Sequence, residues 1–312
     1  MKKYVIISIA IIAIGVAAIF FMWSLSRKNL DITGIPGNLT VIVAWNPHST
    51  ADDMVRSLPL DAVLINMPGA NGANGKNTVY SAPRDGENIL ATNLSAFVTA
   101  EEMGFSESSH RDWTGWLCAF APAIVAVAAD SPFETMNDLT ESLRRNTDTL
   151  TGANSGFGTV SYIAAELFQT TVEFEHISYA GSSPAINALR NRDADFAFLI
   201  SVEAVGALRS GELRALAAFT EGNLVIHGEN EIIIPSISGL ISENLPFGEY
   251  FGLFIPEDTP QARLDGIESM IKTAASSDAF ANFIRERGLV AETPNKIQNT
   301  AQINRISTII TR

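Results

Sequence analysis

Four short stretches gather hydroxyl, amide and glycine residues directly after apolar runs. They are Trp45-Asn46-Pro47-His48-Ser49-Thr50-Ala51-Asp52, Pro68-Gly69-Ala70-Asn71-Gly72-Ala73-Asn74-Gly75, Gly152-Ala153-Asn154-Ser155-Gly156-Phe157-Gly158-Thr159 and Tyr179-Ala180-Gly181-Ser182-Ser183-Pro184. Such residues are mostly neutral donors. Where a strand feeds a helix, they join the free N–H groups of the first helical turn and can hold an anion without a formal positive charge. Ser49 and Thr50 read equally well as helix N-caps, with Asp52 and Asp53 as first-turn acids.

Other chemistries lack their residues. Gly69, Gly72 and Gly75 have neither the G-x-G-x-x-G order nor the Lys-Ser/Thr of a nucleotide loop, and suit close packing of a helix on a neighbouring loop. Ser155 lies in Ala153-Asn154-Ser155-Gly156-Phe157, without the glycines of a nucleophile elbow. His48, His110, His176 and His227 form no H-E-x-x-H pair. The single cysteine, Cys118, permits no intrachain disulfide and no cysteine metal site, and reads as a core thiol. No catalytic residue, metal or cofactor is expected, and a hydrolase is the weakest of the functional classes. With 34 acidic against 21 basic residues and a net charge of −13, the chain offers no basic face to nucleic acid.

The elements that position these loops alternate. The 312 residues, 46% hydrophobic and 18% charged, suffice for two folded domains. Leu39 to Ala44, Ala62 to Ile65, Asn88 to Thr92 and Ile124 to Ala128 are short apolar runs that predict buried strands. Ser131-Pro132-Phe133-Glu134 predicts a helix start, the helix carrying Met136, Leu139 and Leu143 and stopping near Asn146. A strand then ends over residues 149 to 152. Helices are predicted at Thr159 to Gln169, Pro184 to Arg190, Val202 to Arg209, Pro260 to Ala275 and Ala279 to Arg287, the last closed by Gly288. Strands are predicted at Val172 to Tyr179, Ala194 to Ile200 and Leu213 to Phe219. This alternation predicts an α/β protein with parallel sheets covered on both faces. Ligands of such sheets sit at the C-terminal strand ends, where the loops above lie.

Lys2 and Lys3 precede an apolar run from Tyr4 to Leu25, and Arg27 and Lys28 follow it. That is the layout of a secretory signal, although the run also has about the ~20 residues that a membrane-crossing helix needs. Residues 1–28 are read as a signal peptide or an uncleaved membrane anchor, and 29–38 as a tether. Either reading exports the rest of the chain to the periplasmic or extracellular face of the cytoplasmic membrane. Membrane contact is expected only through this N-terminal segment.

Taken in order, the loops resemble the tripartite tricarboxylate transporter substrate-binding proteins, the Bug family. Ile42-Val43-Ala44-Trp45 with Asp52 and Arg56 is similar to the family's first strand end and loop. Asn66-Met67-Pro68-Gly69-Ala70-Asn71-Gly72 and Ala82-Pro83-Arg84-Asp85-Gly86 resemble its next two motifs. Gly156-Phe157-Gly158-Thr159, Ala165-Glu166-Leu167-Phe168, Ile177-Ser178-Tyr179-Ala180-Gly181 and Gly211-Glu212-Leu213-Arg214-Ala215-Leu216-Ala217 follow, and Phe251-Gly252-Leu253-Phe254-Ile255-Pro256 completes the series. The resemblance covers nearly the whole exported part. The chain departs from the pattern at His48-Ser49, where the family has a glycine pair, and at Ala44, Tyr162 and Leu199.

The resemblance implies a type II periplasmic-binding fold: two α/β lobes joined by two crossovers, with a ligand cleft between them. Lobe 1 would comprise 39–122 plus 247–312, and lobe 2 would comprise 123–246. It implies pincer loops that grip a small carboxylate from both sides. These would be Trp45, Asn46, His48, Ser49 and Thr50 from one lobe, and Asn154, Ser155, Gly158, Thr159, Tyr179 and Gly181 from the other, with Asn93 and Ser95 flanking the cleft. His48 would either meet the carboxylate, with a pKa raised on binding, or face solvent or cap the following helix. Citrate-like, dicarboxylate, acidic amino acid and aromatic acid ligands all fit. The implied partners are transporter membrane subunits, and a monomer is expected. The alternative function is a membrane-tethered sensor that reports the same closure to a signalling partner.

Overall fold

The computed structural model describes residues 37–145, 150–241 and 243–310, so the apolar segment 1–28 and most of the tether lie outside the described residues. The chain opens with the expected alternation: β1 (Leu39–Val43), α1 (Thr50–Ser57), β2 (Ala62–Asn66), α2 (Ala73–Ser81), β3 (Asn88–Asn93) and α3 (Leu94–Glu102). β1 lies between β2 and β3 and is parallel to both. Its side chains Val41 and Val43 are fully buried, as a β-branched run between two covering layers should be. Gly75 brings α2 hard against this strand, since a Cβ there would lie 3.2 Å from Ala44 Cα. The Gly75 end of the glycine-rich second stretch therefore serves packing, as its sequence suggested.

β4 (Trp113–Ala128) is a strand of 16 residues that runs through the middle of the sheet, buried almost throughout. It pairs antiparallel with β11 (Gly248–Pro256) along its first part. Along its last part it pairs antiparallel with β7 (Phe196–Ile200) and β8 (Leu213–Ala218). The expected strand Ile124 to Ala128 is thus the end of a longer one. Between β4 and β8 come α4 (Met136–Arg145), β5 (Thr151–Asn154), α5 (Val160–Gln169), β6 (Glu175–Ser178), α6 (Ser182–Asn191), β7 and α7 (Ser201–Arg209). A small hairpin follows, β9 (Leu224–Ile226) and β10 (Ile232–Ile234), and after β11 come α8 (Gln261–Ala275), α9 (Asp278–Arg287), β12 (Val290–Ala291) and α10 (Lys296–Ile310). The strand order is β2-β1-β3-β11-β4-β7-β5-β6, with β8 and β12 also on β4. At the waist of the sheet, Ala123 N–H donates to Phe247 O (3.0 Å), Phe219 N–H to Ala123 O (2.8 Å) and Phe247 N–H to Phe219 O (2.9 Å). The crossing segments are thereby tied to one another.

Two local expectations are corrected. The helix expected from Ser131 begins at Met136. Ser131 Oγ instead accepts Phe133 N–H in a turn, while Thr135 and Asp138 exchange side-chain-to-backbone bonds of 3.2 and 2.8 Å. That reciprocal box satisfies two donors at once and outcompetes the single hydroxyl upstream. The strand expected over Val172 to Tyr179 shortens to β6, which among the described residues pairs only with β5 and leaves Ile177 half exposed. Cys118 is buried in β4, and burial pushes its thiol up to about 12, so it stays protonated and unreactive.

Candidate functional site

A cavity of about 420 Å³ opens between the β3–β11 side of the sheet and the β5–β7 side. Three helices begin at it. β3 ends at Asn93 where α3 starts, β7 ends at Ile200 where α7 starts, and α5 follows the turn after β5. Their first-turn N–H groups and the positive ends of their dipoles therefore converge on one space.

At the start of α3 the capping group comes from a distant strand. Glu249 of β11 accepts Ser95 N–H on Oε1 (3.0 Å) and Asn93 Nδ2 on Oε2 (3.0 Å), and the Ser95 hydroxyl also donates to Oε2. Glu249 is 6% exposed, and burial raises its pKa although these hydrogen bonds pull the other way. The amide oxygen of Asn93, Oδ1, is buried and has no hydrogen-bond partner among the described residues.

At the start of α5 the turn is held by its own side chains. Asn154 is fully buried; its Oδ1 accepts Gly156 N–H (3.0 Å) and its Nδ2 lies 2.7 Å from His176 Nδ1. Ser155 N–H donates to Ser161 Oγ (2.9 Å). The hydroxyls of Ser155, Thr159 and Ser161 lie 2.5 to 3.5 Å apart, and Thr159 caps the helix through Tyr162 N–H (3.3 Å). The fourth loop is locked behind the third: Tyr179 N–H donates to Asn154 O (3.0 Å) and Gly181 N–H to Ser155 O (3.1 Å). Gly156, at φ 125°, allows this approach, since a Cβ there would lie 3.1 Å from Tyr179 O. Ser155, Gly158 and Thr159 line the cavity together with Asn93 and Ser95, whereas Asn154, Tyr179 and Gly181 stand behind that lining.

The first loop is organised around Asp52, which is fully buried. Burial alone would raise its carboxyl, but bonds from Arg56 Nε (2.8 Å), Asn66 Nδ2 (2.9 Å) and His48 N–H (2.9 Å) hold it below the usual range. Trp45 ties its indole to Thr92 Oγ1 (3.1 Å), and its carbonyl accepts Asn66 Nδ2 (2.9 Å). Ser49 caps α1 by accepting Asp52 N–H (3.3 Å), Thr50 is the first helical residue, and the exposed Asn46 accepts Ser49 N–H (3.2 Å). His48 takes φ 65° and is 89% exposed at its side chain, with Nδ1 3.9 Å from Asp53 Oδ1. That backbone conformation suits glycine, which is what the resemblance has there. None of Trp45, Asn46, His48, Ser49 and Thr50 lines the cavity described above. His48, Asp52 and Asp53 bring potential metal-ligand atoms within 4.8 Å of one another, but Arg56 and Arg287 already pair with the two carboxylates.

The lining also holds residues that the sequence reading did not name as ligand contacts: Asn71 and Phe157 from the second and third stretches, and Ser161, Glu203 and Glu249 from outside all four. Asn71, at φ 52° in a run of positive φ from Gly69 to Gly72, donates to Thr99 Oγ1 (3.1 Å). Phe157 is 83% exposed, its ring 4.9 Å from Tyr162. Glu203 sits in the first turn of α7 and accepts the Ser182 hydroxyl; enclosure by protein raises its pKa, and the Glu249 charge adds to that rise. A sequence signal existed for Glu249, a charged residue inside an apolar strand, and for Phe157, a large aromatic between two glycines. Glu203 carries none, since first-turn acids are commonplace.

A mixed sheet with two α/β halves, crossing strands between them and helix starts facing a shared cleft defines a periplasmic-binding protein of type II. A solved structure of a TctC solute binding protein from Polaromonas shares this fold at TM-score 0.74 and 19% identity, covering 88% of this chain and 97% of that one. An R. palustris protein solved with adipate matches at TM-score 0.67 and 22% identity, over 88% and 94%. In sequence, a UPF0065 protein of Bordetella pertussis is 25% identical over 288 residues, 88% of this chain and 85% of the relative. Residues 48–311 match the model of the tripartite tricarboxylate transporter family receptor. The chain belongs to that family of substrate-binding receptors.

Proposed function

We propose that the protein captures a small carboxylate-bearing solute outside the cytoplasmic membrane and delivers it to the membrane subunits of a tripartite tricarboxylate transporter. The observation that carries this reading is the cleft itself: three helix starts converge on it, with neutral donors from residues 155 to 161. Oriented dipoles and hydroxyls can hold an anion in a chain whose net charge is −13. Family membership and the adipate in a structure of the same fold support the solute class. On this reading the lobes are 39–122 plus 247–312 and 123–246, meeting at the waist bonds of Ala123, Phe219 and Phe247. Ser155, Gly158, Thr159, Asn93 and Ser95 contact the solute, and the Trp45 to Thr50 loop comes onto it as the lobes close. The apolar run from Tyr4 to Leu25 directs export and, if retained, also suits the tethered-sensor alternative.

A thermal-shift screen against carboxylates tests the proposal, because a ligand of the folded state raises the unfolding midpoint. At least one small carboxylate is expected to raise it in a saturable way. If only ligands without a carboxylate do so, the proposal falls. Co-purification with transporter membrane subunits, rather than with a histidine kinase, separates delivery from sensing.

A further inference from the structure

The two ends of the sheet differ. β6, at one end, carries Glu175 and His176, polar and charged residues of the kind that blunt an edge strand. β2, at the other end, is five residues without a charge, a proline or a break in register, and among the described residues it pairs only with β1. Val63 and Ile65, two residues apart and so on one face, are 63% and 42% exposed.

The backbone adds a direction. Met67 N–H donates to Val43 O (2.7 Å), so in this parallel ladder the odd-numbered residues of β2 turn their amides toward β1. The N–H and C=O groups of Ala62, Leu64 and Asn66 therefore point away from the sheet, as a row that a further strand can pair.

This strand is complementary to itself. Set antiparallel about a twofold axis at Leu64, it places Ala62 opposite Asn66 of a second copy and Val63 opposite Ile65. The outward amides then form about six backbone hydrogen bonds, and Val63 and Ile65 fall in the non-hydrogen-bonded positions where side chains lie closest. Other centres fail. A twofold at Ala62 carries Ile65 past the end of the strand, opposite Pro59. One at Asn66 sets Leu64 against Pro68, which has no N–H to give.

Charge favours a second copy over a foreign strand. Chains of net charge −13 repel one another on most faces, and this edge is neutral. With Leu64 on the axis, Asp61 faces Met67, and the two Asp61 residues stand ~20 Å apart. That separation is well beyond the screening length of ~8 Å at physiological salt.

We infer that β2 is a dimerisation edge, on which a second copy of this chain lays its own β2 antiparallel across Leu64 and continues the sheet through both molecules. A weak dimer thus replaces the monomer that the resemblance implies, since one strand pair buries less than the ~800 Å² per partner of a stable interface. The inference does not depend on the solute.

The test is sedimentation velocity of the full chain in density-matched detergent, from about 5 to 500 µM. A reversible monomer–dimer equilibrium is expected. Val63→Lys with Ile65→Lys sets lysine opposite lysine twice and is expected to weaken dimerisation about 10-fold or more. Both side chains are exposed, so the thermal midpoint of the monomer should hold; Val63→Lys alone, at the more exposed position, gives a second and milder reading. Val63→Glu with Ile65→Lys sets glutamate opposite lysine twice and is expected to restore the dimer, a recovery that only this register predicts. A monomer throughout the range, or a dimer indifferent to the lysines, overturns the inference. So do species that grow beyond two, as β2 pairing with β6 of the next copy would produce, and a glutamate–lysine variant that recovers nothing.

Discussion

Glu249 lies in β11 between Gly248 and Tyr250, both buried, where any ionised group loses its hydration. Its pKa is raised by that burial, so the folded chain holds this proton to a higher pH than the unfolded chain does. As pH rises past the ordinary glutamate range, the unfolded state releases its proton first and the folded state loses relative stability. Glu249→Gln is therefore expected to unfold at a higher temperature than wild type, by a margin that grows between pH 5 and pH 7.5 in thermal melts. Lys76 shows the opposite sign. It is 1% exposed, its ammonium held by Phe97 O and Ser108 O at 3.0 Å each, and burial lowers its pKa to about 8. Between pH 8 and the unfolded value the unfolded chain binds more protons, and stability rises with pH. The urea midpoint of wild type relative to Lys76→Met is expected to climb from pH 8 to pH 10; a flat difference would mean that Lys76 stays charged.

At the scale of elements, backbone conformation and close approach decide which substitutions the fold tolerates. Gly158 takes φ 74° with open space where a Cβ would go, so a side chain there meets strain rather than crowding. Gly158→Val is expected to cost about 1–2 kcal/mol of stability and to weaken solute binding by titration, because the turn that leads into α5 must shift. Gly248 is the contrary case. A Cβ there would strike the Ala121 carbonyl and come within 2.7 Å of Pro122 Cα, both backbone atoms of β4. Gly248→Ala is expected to destabilise by about 3 kcal/mol or more in urea, with β11 and β4 forced apart at the waist. The capping of α3 belongs to this scale too: the helix start depends on a carboxylate more than 150 residues away.

For the molecule as a whole, the two sides of the cleft are joined through β4 and the waist bonds, and the solute would touch both. Saturating solute is expected to lower the radius of gyration in small-angle scattering, because contacts to both sides favour the closed state. An unchanged radius at saturation would show that binding needs no closure. Since the donors for a carboxylate are neutral, affinity is expected to change little with added salt compared with a site built on lysine or arginine.

Much of this was legible in residue order alone. The alternation of apolar runs and helical spacing announced the α/β layers, because periodicity reflects which faces each element must bury. The loops after β1, β5 and β6 were visible because glycine and hydroxyl residues mark strand-to-helix turns. Ser49 and Thr159 proved to be caps, a role set by neighbours three residues away. What the residue order withheld was long-range. Thr135 overrode Ser131 only through its reciprocal bond with Asp138. Asn154 and Tyr179 do not line the cavity, since the pairing of β5 with β6 sets one loop behind the other. Glu249 and Glu203 lie 46 residues apart in the chain, and no spacing rule links them. They meet because β7 and β11 lie on either side of β4, so the charge of the cleft was decided by tertiary structure alone.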